Sequence, residues 1–322
     1  MKKLVFIFIS LSILNTCYLI LATCADAQSV RSITISPPSV ELNLNPGEKT
    51  EGVLKVINRS DAPITFTAKV RDYVVRDSLG TPVVLPDESL SSNKFSAAAW
   101  LTVTPDTFTV EPRGKQELNY YLEAPLSGAA GGHYAAVVYE PVETLSVKGT
   151  GTGVNTQVAT LFYINLKGEI IEAAEVKNFY AKSFNEYGPV EITSEILNNG
   201  DLHIKPEAEI TIKNLFGQTV AREMLEKHNI FPEKSRLYTN SLGQKWMIGP
   251  YTAILTGTYG TSNSLNFQAA VSFFIFPWKV AIIGLFVAII IILLALTLRR
   301  KKTQRFEQKT ELPSSPTNHQ KL

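Results

Sequence analysis

The chain has 322 residues, with 31 Lys and Arg against 29 Asp and Glu for a formal charge of +2. Its two cysteines, Cys17 and Cys24, lie near the start, and the stretch from Gln28 onward has none. That excludes a disulfide framework, a zinc–thiolate site and a cysteine nucleophile from the body of the protein. Residues 28–278 hold 21 Lys and Arg but 26 Asp and Glu, a net charge near −5. Such a surface disfavours nucleic acid and gives no general attraction to anionic wall polymers.

In chain order, residues 1–27 read as a signal peptide. Lys2 and Lys3 form the positive start, Leu4 to Ala22 are mostly apolar, and Ala25, Asp26 and Ala27 offer a small-residue cleavage site. An uncleaved anchor is the alternative. "LATC" (Leu21–Cys24) also resembles a lipobox for lipidation at Cys24, although Thr23 is a poor residue at that place.

From residue 28 the periodicity is that of strands. Val40, Leu42 and Leu44 alternate with polar neighbours, as do Ile64, Phe66, Ala68 and Val70, and then Leu118, Tyr120 and Leu122. Ile192, Ser194 and Ile196 repeat the pattern, followed by Ala208, Ile210 and Ile212. A two-residue period gives each run one buried and one wet face, as antiparallel sheets require. Turn sequences separate the runs: "NPG", "NRSDAP", "EPRG", "NNGD", "LFGQ" and "FPEK". "TVAREMLEKHN" (Thr219–Asn229) has some helical character, but its shortness and the preceding turn favour a strand. Many short strands at this spacing predict β-sandwiches.

An internal echo sets the domain count. "VLKVINRSDAPITFTAKV" and "EITSEILNNGDLHIKPEAEITIK" share a plan of strand, Asn- and Asp-containing turn, proline and strand. The expected fold is all-β: two tandem immunoglobulin-like β-sandwiches over 28–166 and 167–276, joined near Leu166–Glu169, with one C-terminal transmembrane helix. The opening echo segment then reads as the corner between the second and third strands of a sandwich.

"VAIIGLFVAIIIILLALTL" (Val280–Leu298) is an uncharged segment long enough for a bilayer core. Trp278 and Lys279 precede it and suit the headgroup layer; Arg299, Arg300, Lys301 and Lys302 follow and mark the cytoplasmic side. These six residues are the expected membrane-anchoring set. They predict a single-pass protein of the cell membrane with residues 28–278 outside. The tail 299–322, which contains "PSSP" (Pro313–Pro316), is expected to be cytoplasmic and disordered.

Catalytic chemistry is not indicated, and no cofactor or metal is expected. His133, His203 and His228 lie far apart, without metal-ligand spacing, and read as structural histidines. "KGTGTGVNT" (Lys148–Thr156) opens no helix and reads as a hairpin loop rather than a phosphate cradle. Trp100 and Trp246 are expected to be core anchors, with a loop-exposed ligand contact as the alternative. "SGAAGGHYAAVVYE" (Ser127–Glu140) leads small residues into an apolar strand, as if its backbone must approach something closely, either a neighbouring sheet or a bound partner.

The signal peptide, "ITISPPSVELNLNPGEKTEGVLKVINRSDAPITFTAKV", "WLTVTPDTFTVEPRGKQELNYYLEAP", "GGHYAAVVYEP", a second sandwich, one helix and a basic tail together resemble the WxL-interacting proteins of Gram-positive surfaces. The resemblance implies a first domain that binds peptidoglycan, a second that binds host or matrix protein, and a partner protein carrying a WxL-type module. It assigns no ligand-binding residue. "SPPSVELNLNPGE" and "TVTPDTFTVEPRGKQ" also resemble segments of pilus chaperones, which are soluble. The leading expectation is therefore a non-enzymatic, membrane-anchored binding or scaffold protein at the cell surface. The alternatives are a membrane-tethered assembly factor for secreted subunits and a carbohydrate-active enzyme, which would need two facing carboxylates in a cleft.

Overall fold

The computed structural model describes residues 33–86, 94–142 and 157–310, with side chains up to Arg299. The expected signal peptide with Cys17 and Cys24, the Lys148–Thr156 loop and Pro313–Pro316 lie outside the described residues. The described residues form two units. One runs to Ile171; the other begins at Glu172 and also takes the tetrapeptide Asp77–Gly80.

The first unit contains β1 (Ile33–Ser36), β2 (Ser39–Leu44), β3 (Lys49–Asn58), β4 (Ile64–Val75), β5 (Pro82–Val84), β6 (Leu101–Thr104), β7 (Thr107–Val110), β8 (Lys115–Glu123), β9 (Gly131–Pro141) and β10 (Val158–Leu166). One sheet runs β1–β3–β8–β6; the other runs β2–β10–β9–β4, with β5 and β7 both pairing β4. The pairs are antiparallel apart from β2 with β10. With β3 and β8 facing β4, β9 and β10, this is the two-sheet division of an immunoglobulin-like sandwich. Alternation decides the inner face: Leu54, Val56, Phe66, Leu118, Leu122 and Phe162 are buried between the sheets.

The strand β9 departs from alternation, because Gly131 to Tyr139 are buried on both faces. Ala135, Val137 and Tyr139 enter the core, while Tyr134 packs outward against Tyr73, Tyr163 and Phe95. Of the small residues flagged in Ser127–Glu140, Gly131, Gly132, Ala135 and Ala136 are thus covered by the chain itself, while Ser127 and Ala129 are exposed. Burial pushes the Tyr73 hydroxyl pKa well above its ordinary value.

The second unit contains β11 (Ala174–Ala181), β12 (Phe184–Asn185), β13 (Val190–Asn198), β14 (Glu207–Asn214), β15 (Thr219–Met224), β16 (Ser235–Leu242), β17 (Gly249–Tyr259) and β18 (Leu265–Ile275). Its sheets are β11–β13–β16 and β12–β18–β17–β14–β15, around Ile192, Ile196, Ile210, Ala253, Leu255 and Ile275. The ambiguous Thr219–Asn229 segment is a strand through Met224.

Both units are pinned by the same device, which is the physical content of the sequence echo. Asn58 ends β3 with its side chain fully buried. Its Nδ2 donates to Ala62 O (2.7 Å) and Val110 O (3.0 Å), and its Oδ1 accepts from Ser60 N (2.9 Å). Asn198 ends β13 in the same way, donating to Leu202 O (2.8 Å) and Ile230 O (2.9 Å) and accepting from Gly200 N (2.9 Å). Each asparagine thereby ties its own turn to the chain entering a Pro-led turn, Glu111–Gly114 or Phe231–Lys234. These turns close through Gly114 N to Glu111 O (2.9 Å) and Lys234 N to Phe231 O (3.1 Å). Arg113 and Glu233 occupy the left-handed position, with φ of 57° and 59°.

Beyond β18, the helix α1 spans Trp278–Thr310. It is longer at both ends than the expected Val280–Leu298. Pro277 sets the start, since its fixed φ suits a first helical turn, and Ala281 N donates to its carbonyl at 3.0 Å. At the other end, the expected disorder does not begin at Arg299. Residues 299–310 are rich in Arg, Lys and Gln, good helix formers, and hold no Gly or Pro, so the helix continues. Within it, Trp278–Arg299 is long and apolar enough to cross a membrane, and none of it is buried against the rest of the protein.

Asn58→Ala and Asn198→Ala each remove two hydrogen bonds to carbonyls and one from an amide. Val110 O, Leu202 O and the amides of Ser60 and Gly200 lose that partner, while Ala62 O keeps Ser60 Oγ (3.1 Å) and Ile230 O keeps Ile204 N (3.0 Å). Each is expected to cost its own unit on the order of 3 kcal/mol, read as a lowered calorimetric transition of that unit with the other unmoved. Burial, helped by Lys205, lowers the His203 pKa to about 4. The unfolded chain therefore takes up this proton first as pH falls below about 6.5, and stability of the second unit drops from there towards pH 4. His203→Gln should remove that part of the acid dependence of its melting temperature.

Candidate functional site

The outer face of β3, β8 and β6 forms the floor of a concavity of about 890 Å³ in the first unit. The parity that sends Tyr120 and Leu122 into the core sends Tyr121 and Glu123 out. Register places Glu51 and Thr102 on either side of Tyr121, and Lys49 opposite Glu123. Lys49 Nζ lies 3.0 Å from a Glu123 carboxylate oxygen, an exposed pair that stabilises little but fixes a polar border. Thr50, Thr102 and Glu51 add hydroxyl and carboxylate groups to the lining.

One wall is Trp100, and a buried carboxylate sets it in place. Asp72, on β4, is fully buried. It accepts hydrogen bonds from Ser96 Oγ, Ala97 N (3.0 Å) and Ala98 N (2.9 Å). These bonds start the tight turn Ala98–Trp100, which Trp100 N closes by donating to Ala97 O (3.0 Å). His133 backs the indole with ring centroids 4.4 Å apart. Its Nε2 is 2.8 Å from Ala129 O and its Nδ1 is 3.2 Å from Ser96 O. His133 is thus a buried, partnered, structural histidine.

The other wall is Ala124–Leu126, against the turn Asn45–Glu48. Gly47, directly after Pro46, has φ of +79°, as the third residue of this turn requires, and a Cβ there would meet the Leu126 side chain. Glu48 closes the turn: the backbone and then the side-chain N–H of Asn45 hold its carboxyl below the ordinary range. Leu126 itself is exposed. The result is a shallow depression with Trp100, Tyr121 and Leu126 as apolar surfaces and Lys49, Glu51, Glu123 and the threonines as polar ones.

Glu51 and Glu123 share this depression on neighbouring strands. Both are solvent-exposed and Glu123 is ion-paired, whereas a general acid for glycoside cleavage needs a desolvated carboxyl. Among the described residues no group of three or more His, Cys, Asp or Glu is placed to hold a metal ion.

The expected anchoring residues lie elsewhere. Trp278 begins α1, half-exposed; Lys279 reaches Glu186 at 2.7 Å and lies over the Trp278 ring at 5.5 Å. Arg299 ends the apolar span, and the side chains of Arg300, Lys301 and Lys302 lie outside the described residues. Trp100 packs partly against the core as expected, but Trp246 does not: it is 61% exposed, with Tyr187 edge-on at 5.4 Å. The buried neighbour is Met247, because the turn at Gly243 presents the methionine inward. Sequence reasoning left Tyr121 unassigned. Its signal was an aromatic at an out-facing position beside an in-facing one.

No protein-family model matches the chain, and no curated protein matches it. Among solved structures it is similar to the class 5 fimbriae chaperone CfaA (TM-score 0.40, 16% identity, 74% of this chain and 98% of that one). It is similar also to the YadV chaperone (0.37, 10%, 74% and 98%). A third is the Salmonella enterica SafA pilin–SafB chaperone complex (0.36, 12%, 76% and 99%). Overlaps this low bear on neither ligand nor partner.

Asp72→Ala removes the acceptor of two amides and a hydroxyl. It is expected to destabilise the first unit by about 3 kcal/mol or more. It should also red-shift Trp100 emission, measured with Trp246 and Trp278 replaced by Phe.

Proposed function

We propose that the chain is a non-enzymatic, membrane-anchored surface protein whose first unit binds a cell-wall glycan polymer in the Trp100–Tyr121 depression. One observation carries this reading: two aromatic side chains and a polar, ion-paired border share an open concavity on a rigid sheet face. Sugar rings have apolar C–H faces that stack on aromatic rings, while their hydroxyl and amide groups bond Thr, Glu and Lys at the edges. The shallow, open shape suits a polymer that passes through rather than a small molecule that is enclosed. The net negative charge of residues 28–278 argues against capture by bulk electrostatics and leaves local contacts to supply affinity. The apolar helix α1 supplies the anchor in this reading, with a protein partner at the surface as a further role.

A second reading, assembly of secreted subunits, draws on the edge strands β1 and β6, each paired on one side only. An incoming strand would add to such an edge through backbone hydrogen bonds. It predicts co-purification of one dominant secreted subunit that competes with no glycan.

The purified protein should be retained on insoluble peptidoglycan, and Trp100→Ala with Tyr121→Ser should lower retention by about tenfold or more, equivalent to losing ~1.4 kcal/mol of contact. Tyr121→Ser, at an exposed position, should leave the melting temperature nearly unchanged. No retention of the unaltered protein would remove the glycan reading.

A further inference from the structure

The second unit has a concentration of exposed apolar side chains at one end, drawn from segments far apart in sequence. Register locates them. β17 and β18 pair antiparallel with Gly249 opposite Ile275, so the start of β17 and the end of β18 lie together. β14 pairs β17 with Asn214 opposite Tyr251, which puts the tip of the β14–β15 hairpin at that same end. β12 pairs β18 at Phe274 and Ile275, and adds Phe184.

What stands at this end is apolar and uncovered. The hairpin tip carries Leu215 and Phe216, 73% and 83% exposed. The tip is held by Asn214, whose Oδ1 accepts from Phe216 N and Gln218 N, both at 3.0 Å, and by Gly217 at φ +77°. Trp246 and Ile248, each 61% exposed, stand in the loop before β17. Phe274 and Phe276 are exposed where β18 gives way to α1. Tips of water-facing hairpins are ordinarily polar, so Leu-Phe at a turn needs a cause. Lys245 lies over the Trp246 ring at 5.8 Å, and Lys279 over Trp278. Aromatic side chains with lysines at their edges match the chemistry of a lipid headgroup layer.

From this structure we infer that this end of the second unit docks on the bilayer surface, with Leu215, Phe216, Trp246 and Ile248 entering the headgroup–acyl boundary around the emerging helix. The inference rests on the reading of α1 as a membrane span. Its occupant is fixed by continuity: the apolar end runs directly into Trp278, the first residue of the apolar helix, through Phe276 and Pro277 alone. The joint is tied down as well. Phe276 N donates to Asn185 O (3.0 Å) and Lys279 pairs with Glu186. The bilayer that receives the helix therefore lies at the end of the unit that carries the hairpin tip and the Trp246 loop.

The test uses the full-length chain with single tryptophans, in phosphatidylcholine–phosphatidylglycerol vesicles containing brominated acyl chains. With Trp246 alone, emission should shift to the blue and be quenched; adding Leu215→Ser and Phe216→Glu should at least halve the quenching. With Trp278 alone, quenching should be strong in either background. Quenched Trp278 with unquenched Trp246 would overturn the docking inference and leave the span intact. Quenching of neither would overturn the span itself. Trp246 shielded without bromine quenching, together with cross-linked dimers, would make this end a contact between copies and would also overturn the inference.

Discussion

One buried side-chain amide in each sandwich ties the turn after its strand to the segment that leads into a Pro-led turn, and the rest of each unit is arranged around that tie. Asn58 and Asn198 each sit at the end of a strand, inside the protein, and bond three backbone groups, two carbonyls and one amide. A hydrophobic core is tolerant of direction, because apolar contacts carry no register. A buried amide is not, since its donors and acceptors must meet partners at fixed angles. With the strand ends fixed, the two-residue alternation has only one way to deliver its inner face to the core.

Fixed parity has its yield on the outer faces. In the first unit it places Tyr121 outward next to an inward Tyr120, and a second buried polar group, Asp72, sets the turn that holds Trp100 beside it. The depression is thus assembled from one strand register and one carboxylate. In the second unit, register brings strand ends and hairpin tip to a common level, where their exposed apolar residues stand together.

Much of this was legible in the sequence where a pattern is local. Alternation in "ITFTAKV" and "EITSEIL", and the turn residues of "EPRG" and "FPEK", state the class and the corners directly. The paired "NRSD" and "NNGD" segments announce a repeated device, although a turn sequence does not reveal that its first asparagine points inward. What stayed hidden depends on contacts distant in the chain. Trp246 and Met247 are adjacent, and only the loop's path decides which of them is buried. Ser127–Glu140 asks for close approach without saying to what, since its cover comes from the segment around Tyr73 and Phe95. The depression joins residues from 47 to 126, and no window of sequence displays it.

The strand β18 runs into α1 with two residues between them, and β11 enters the same unit from the far end of the sandwich, Ala174 being remote from Phe184 and its partner Phe274. Tension between an anchored helix and a load on the chain before Glu172 would thus pull the first and last strands of this unit along their own axes, in opposite directions. The eleven-residue ladder joining β18 to β17 is then loaded in shear, all its hydrogen bonds at once, instead of being unzipped one by one. Under such a load the second sandwich would resist extension along its strands, the direction in which a ladder is hardest to part.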